Sequence, residues 1–315
     1  MALVLRHINI QTYSLRLTTC SARCVAGVSP RRHLSTGRDA ERAEDSSPTK
    51  GHHVSIIQGA SRGLGLEFVR QLLSTSSEAG GRSGGKVVAT CRNPSNAHEL
   101  LQLAREYPDR LSVLPLDVTN EDSIKAAAEA CRAQFGQAHL LINVTGVLHT
   151  PEGLFPETAL AKVDPKNLLY SYQVNAVGPL LVTKAFAPLL TSTATSSTNK
   201  PWNVVVANLS ARVSSIGDNR LGGWHSYRAS KSALNMLTKN IAIEFARKQH
   251  PVTCILLHPG TVSTELSLPF QKNVPADKLF TKERAIRQLL GIIENVSPDK
   301  DNGVLFAWDG QRIPW

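Results

Sequence analysis

The sequence predicts an α/β fold, a single domain built on a doubly wound parallel sheet of about seven strands. Three observations predict it. Short runs rich in Val, Ile, Leu and Ala alternate with longer helix-like stretches, and the runs are apolar throughout. Strands of that kind are buried on both faces of a parallel sheet. A glycine turn, Gly59-Ala60-Ser61-Arg62-Gly63-Leu64-Gly65, follows the first run and opens a helix, as in doubly wound folds. Several strand–helix units later, Tyr227-Arg228-Ala229-Ser230-Lys231 falls inside the same alternation, so no second domain is needed.

Taken in order, Val54 to Gln58 reads as a buried strand, and a helix runs through Glu67 to Leu73. Residues 74–85 are Ser- and Gly-rich and read as a surface loop. Lys86 to Thr90 is a second strand, and Leu111 to Leu116 a third that ends at Asp117. Ser123 to Phe135 reads as a helix and His139 to Asn143 as a fourth strand. Tyr170 to Leu190 reads as a long helix broken near Gly178-Pro179. Residues 191–201 form another Ser/Thr-rich loop. Asn203 to Leu209, Val252 to Leu257 and Val304 to Trp308 complete the strands, with a helix from Tyr227 to Arg247.

The N-terminus has a different composition. Residues 1–38 carry six arginines, many Ser and Thr, and no Lys, Asp or Glu. That matches an organellar transit peptide, for the mitochondrial matrix or alternatively the plastid stroma. Residues 39–52 read as a linker and 53–315 as the domain. The formal net charge of +10 is largely this leader; the remaining 29 basic and 25 acidic residues give +4. An excess that small does not point to nucleic acid. No apolar run nears the ~18 residues that a membrane span needs. Cys91, Cys131 and Cys254 are widely spaced and read as buried thiols, with no disulfide framework and no metal-ligand spacing.

Chemistry enters at the glycine turn. Backbone can approach a pyrophosphate there, and the helix N-terminus supplies N–H donors and a positive dipole end. After the second strand, where an acid would hold a ribose hydroxyl, stands Cys91-Arg92. Arg92 and Arg62 favour a 2′-phosphate, and hence NADP(H), because guanidinium pairs with phosphate in bidentate fashion. Asp117 is placed either for an adenine contact or as a helix cap. Tyr227 and Lys231, four residues apart, share a helix face, where the ammonium can lower the phenol's pKa and ready it as a proton donor for carbonyl reduction.

These segments resemble the short-chain dehydrogenase/reductase family, and its C-factor-like (C-signal-like) subgroup in particular. The resemblance runs from about Val54 to Trp315. It is carried by QGASRGLG at 58–65, LDVT at 116–119, NVTG at 143–146, VNAVGP at 174–179, YRASKSALN at 227–235, HPGTVST at 258–264 and WDGQRIPW at 308–315. It implies a Rossmann fold, NADP(H), a small carbonyl substrate and a homodimer or homotetramer. It also implies a tetrad in which Tyr227 donates the proton, Lys231 tunes it and holds the nicotinamide ribose, and Asn175 holds a relay water. The expected cofactor contacts are Gly59, Ser61, Arg62, Gly63, Leu64 and Gly65 in the glycine turn. Farther along come Arg92, Asp117 and Val118, then Asn143 and Gly146. Tyr227, Lys231, Pro259, Gly260, Val262 and Thr264 complete the set.

The chain departs from the family pattern at three places. Gln58 replaces Thr before the glycines, and Val144-Thr145 replaces Asn-Ala. The family's catalytic Ser falls on Ala211. Ser214, which lies 13 residues before Tyr227, and the adjacent Ser210 are the candidate stand-ins. The resulting expectation is an NADPH-dependent carbonyl reductase. The alternative is a weakly active or inactive NADP(H)-binding regulatory or signalling protein.

Overall fold

A computed structural model describes residues 52–74, 85–192 and 203–315. The stretch expected to be a transit peptide, nearly all of the expected linker, and the bulk of the two Ser-rich segments expected to be loops lie outside the described residues. The elements are β1 (Val54–Gln58), α1 (Gly63–Ser74), β2 (Lys86–Cys91), α2 (His98–Glu106), β3 (Leu111–Pro115), α3 (Glu121–Phe135) and β4 (Leu140–Asn143). They continue with α4 (Pro165–Tyr172), α5 (Gly178–Ser192), β5 (Val204–Leu209), α6 (His225–Arg247), β6 (Val252–His258), β7 (Thr261–Val262), β8 (Leu279–Phe280), α7 (Lys282–Asn295) and β9 (Val304–Ala307).

Seven strands form one sheet in the order β3-β2-β1-β4-β5-β6-β9, every neighbouring pair parallel. Strand alternation divides the core between the two faces. Ile57, Ile142, Ala207 and Ile255 face a cluster that includes Phe68, Leu72, Leu289 and Ile293 of α1 and α7. Ile56, Leu141, Val206 and Cys254 face a cluster that includes Ile124, Phe186 and Phe245 of α3, α5 and α6. The order reverses between β1 and β4, and ligands of open α/β sheets bind in the crevice at such a switch point.

Two longer helices that the sequence analysis does not predict are present, besides the single turn Pro298–Asp301. α7 had a legible signal: the Thr281 hydroxyl accepts the Arg284 N–H as its cap, and Ala285, Ile286, Leu289 and Ile293 recur at helical spacing. α2 buries only Leu100, which leaves little pattern to read. Residues 304–307 pair as expected, and the chain then doubles back, with Ile313 N–H donating to Leu305 O and Ala307 N–H to Gln311 O. The outer edge of β9 is thereby covered by the chain's own tail.

The break expected at Gly178-Pro179 does not occur. A π turn, Gln173–Val177, joins α4 to α5 in one 28-residue helix. Pro179 falls just after this turn, where a missing N–H is tolerated. The joined helix is long and apolar enough by composition to cross a membrane, although no uninterrupted apolar run is legible in it. Its apolar window is 56% buried within the domain, against the sheet and α3, which is the place of a core helix.

Candidate active site

The glycine turn lies at the switch point. Gly59 takes φ +89°, and a Cβ there would stand 2.4 Å from Thr145 Oγ1; a Cβ on Gly65 would stand 2.0 Å from Gly59 O. Both positions therefore require glycine. Gly63 takes φ +60° and has open space where a side chain would project. The first turn of α1 carries no acid to neutralise its dipole. Ser61 and Leu64 flank the turn, half-buried. A cradle of glycines at the N-terminus of a 12-residue helix fits a dinucleotide pyrophosphate. The two departures from the family pattern meet here: Gln58 Nε2 donates to Thr145 Oγ1 at 2.6 Å, and the Thr145 N–H donates to Gln58 Oε1 at 3.3 Å.

Arg62 and Arg92 are exposed. Arg62 forms an ion pair with Glu265 at 2.8 Å, tying the glycine turn to the segment after β7. Asp117 Oδ1 accepts the N–H and hydroxyl of Thr119 at 2.8 and 2.7 Å, while the cap of α3 is Asn120. Val118 is buried, and Gly178 lets the α5 backbone close against it. The Asn143 side chain turns into the sheet, where its Nδ2 donates to Asn208 Oδ1 at 2.7 Å. Only its main chain is left to face the crevice.

Tyr227 lies in the first turn of α6 and Lys231 one turn on, 9% and 3% exposed. Lys231 Nζ donates to Leu209 O at 2.8 Å and lies 6.0 Å from the Tyr227 ring centre. Gly146 lies between Lys231 and Asn175: a Cβ there would be 3.3 Å from Lys231 Nζ and 3.4 Å from Asn175 Oδ1. Burial pushes the Tyr227 phenol up to about 12 and Lys231 down to about 8. The sequence predicts that the ammonium lowers the phenol; desolvation of both groups dominates instead.

Asn175 lies in the π turn, a distortion frequent at functional sites. Its amide is fully engaged: Oδ1 accepts the Val147 N–H at 2.7 Å, and Nδ2 donates to Val147 O at 2.9 Å and Ser230 Oγ at 3.0 Å. The side chain thus braces the Gly146–Val147 segment against α6.

The two serines are both hydrogen-bonded to Asn235 of α6. Ser210 Oγ donates to Asn235 Oδ1 at 2.7 Å, Asn235 Nδ2 donates to Ser214 Oγ at 2.7 Å, and Ser214 Oγ donates to Ala211 O at 2.6 Å. Asn235 is eight residues past Tyr227, about 12 Å along the helix. Ala211 is extended, so its methyl points opposite to the Ser210 hydroxyl.

Beyond β6, Gly260 takes φ +77° and passes tightly under Phe280 and Trp308. Val262 is buried in β7, and Thr264 is half-buried in the turn that follows. A row of rings stands over Tyr227. Trp224 meets Tyr227 edge-on at 6.2 Å and Phe270 at 5.0 Å, and His149 lies 6.4 Å from Phe270 and 6.2 Å from Phe155. None of these four outer rings is buried, so they form a wall rather than core.

Comparison with known proteins agrees with this fold. The family model described as short chain dehydrogenase matches residues 53–274. The C-signal protein of Myxococcus xanthus is 33% identical over 180 residues, 57% of this chain and 94% of that protein. The crystal structure of NADPH-bound carbonyl reductase from chicken fatty liver is 32% identical, with a TM-score of 0.71 over 84% of this chain and 99% of that one. The carbonyl reductase Sniffer of D. melanogaster is 27% identical, with a TM-score of 0.72 over the same shares. A seven-stranded parallel sheet, a glycine turn at its switch point and a Tyr–Lys pair on one helix face converge with these likenesses: the chain belongs to the short-chain dehydrogenase/reductase family of oxidoreductases.

Proposed function

We propose that the protein is an NADPH-dependent carbonyl reductase in which Tyr227 delivers the proton. The observation that carries this reading is the buried Tyr227–Lys231 pair, which lies between an aromatic wall and Gly146. The glycine turn would hold the pyrophosphate, and Arg62 and Arg92 the 2′-phosphate. Lys231 would hold the nicotinamide ribose, with Pro259, Gly260 and Thr264 beside the ring. The bound cofactor supplies the hydride.

The chain's own residues do the rest. With its pKa near 12, Tyr227 keeps its proton through the physiological range and can give it to a carbonyl oxygen. Lys231, near 8, titrates close to working pH and can restore that proton. The Leu209 carbonyl fixes the amine, and Asn175 fixes the loop opposite it. Trp224 and Phe270 favour an apolar or aromatic carbonyl compound.

The test is NADPH consumption by the full chain on a panel of ketones and aldehydes, with Tyr227→Phe as control. The parent is expected to turn over and the variant to bind NADPH without doing so. Parent-like turnover by the variant would remove Tyr227 from the role.

Ala211 favours a second reading, a weakly active NADP(H)-binding regulatory protein, because the family's second carbonyl donor is missing there. NADPH binding without turnover of any panel member would select it. The Arg-rich, acid-free leader supports import into the mitochondrial matrix; import assays with isolated mitochondria and plastids distinguish that from the stroma.

A further inference from the structure

The first turn of α6 carries Tyr227, yet α6 does not cap itself. Its N-cap residue is Trp224, whose side chain makes no capping bond. The turn is held from outside by Glu157, on the loop between β4 and α4. Glu157 is only 4% exposed. Its Oε2 accepts the Ser226 N–H at 3.1 Å, and its Oε1 accepts the Ser226 hydroxyl. Its main-chain carbonyl accepts the Trp224 N–H at 2.6 Å. A carboxylate so placed meets the unsatisfied N–H groups and the positive end of the helix dipole.

The backbone entering α6 is strained. Gly222, Gly223 and Trp224 take φ of +63°, +65° and +51°, three left-handed residues in succession. Glycine adopts that conformation freely, but a Cβ-bearing residue does not, and it persists only where its surroundings enforce it. The contact on Trp224 is the Glu157 main-chain carbonyl, held at the helix end by the carboxylate's two bonds to Ser226, and it approaches so closely that a Cβ on Gly223 would lie 3.3 Å from it.

We propose that Glu157 is the positioning residue of this site. It caps α6 and pins Trp224 in its left-handed conformation, and so fixes the Trp224 ring relative to the Tyr227 hydroxyl. The proposal rests on the reading of Tyr227 as proton donor. Glu157 also belongs to the loop that carries His149 and Phe155, so the anchor of the α6 end and part of the aromatic wall share one segment.

The test compares Glu157→Ala, Glu157→Gln and Ser226→Ala in the full chain, well below their unfolding temperatures. Glu157→Ala is expected to lower kcat for carbonyl reduction by about tenfold or more. NADPH affinity should change less than about twofold, because the glycine turn is untouched. The Trp224 emission, read as the difference between each protein and its Trp224→Phe counterpart, should shift to longer wavelength. Glu157→Gln keeps an acceptor for Ser226 and should restore most of both. If Glu157→Ala does not fold, Ser226→Ala must show smaller shifts of the same kind. Unchanged kcat and Trp224 emission in these variants, with only Tm lowered, would overturn the proposal. Should the parent turn over no carbonyl, the proton-donor reading fails, while the emission arm needs no substrate and still decides the role of Glu157.

Discussion

Gln58 and Thr145 hold each other across the crevice where the strand order reverses, with Gln58 Nε2 donating to Thr145 Oγ1 and Thr145 N–H to Gln58 Oε1. Each departs from the family pattern, and the two departures form one pair. Changing either alone leaves a partner short of a bond. Gln58→Thr and Thr145→Ala should each cost about 1 kcal/mol, and the double variant less than their sum. Denaturant unfolding of the four proteins gives the coupling. Strict additivity would mean that the pair contributes nothing jointly.

Burial sets the pH behaviour of the cofactor-free protein. Lys231 lies near 8 when folded, against an ordinary 10.5, so the folded state binds fewer protons between those values. Stability through Lys231 therefore rises with pH over that window. Tyr227, near 12 against 10, works in the opposite sense from pH 10 upward. Lys231→Met should stabilise the cofactor-free protein at pH 7 by roughly 1–3 kcal/mol and flatten the rise above pH 8. It should also abolish carbonyl reduction and weaken NADPH binding. Denaturation midpoints across pH 7–10 check this. A less stable Met variant at pH 7 would show that the bond to Leu209 O outweighs desolvation.

The serines are expected to matter for stability rather than turnover. Ser210 and Ser214 share Asn235, far along α6 from Tyr227. Each Ser→Ala should cost about 1–2 kcal/mol and change kcat by less than about threefold. Ala211→Ser restores the family's donor and should raise kcat by about tenfold or more. A drop of about 10² in Ser214→Ala, with NADPH affinity kept, would return Ser214 to the catalytic role that spacing had given it.

If Arg62 holds the 2′-phosphate as proposed, its ion pair with Glu265 competes with that contact. An exposed ion pair contributes under about 1 kcal/mol, which caps the effect at about fivefold. Glu265→Gln should raise the NADPH/NADH ratio of kcat/KM within that limit. Arg92→Asp should move the same ratio toward NADH, since it removes a phosphate partner and adds an acceptor for a ribose hydroxyl. If neither ratio moves, neither arginine faces the ribose.

The fold was legible because the buried strands and the glycine turn are local in sequence: Val54–Gln58 and Gly59–Gly65 carry their meaning within a dozen residues. The placing of Tyr227 and Lys231 in one helix, a turn apart, was legible for the same reason. The serines' partners were not, because spacing along a loop does not reveal which way a hydroxyl turns, and Asn235 bonds to both. Glu157 gave no signal at all. It lies 69 residues before Ser226, on a loop without periodicity, and only the folded chain brings its carboxylate to the helix end. The pairing of Gln58 with Thr145 spans 87 residues and was invisible for the same reason.

The π turn at Gln173–Val177 makes this site sensitive to length rather than composition. One surplus residue in a helix advances everything downstream by about 100° around its axis. α4 and α5 are thus phased independently, one against α6 and the other against α3. Deleting a single residue there would restore ordinary helical geometry and also the helix's better intrinsic stability. It would equally swing either Asn175 off Val147 or Phe186 off the sheet. A substitution acts at one position, whereas a one-residue deletion acts on every residue downstream at once, so the reading frame of the helix is what keeps brace and core in step.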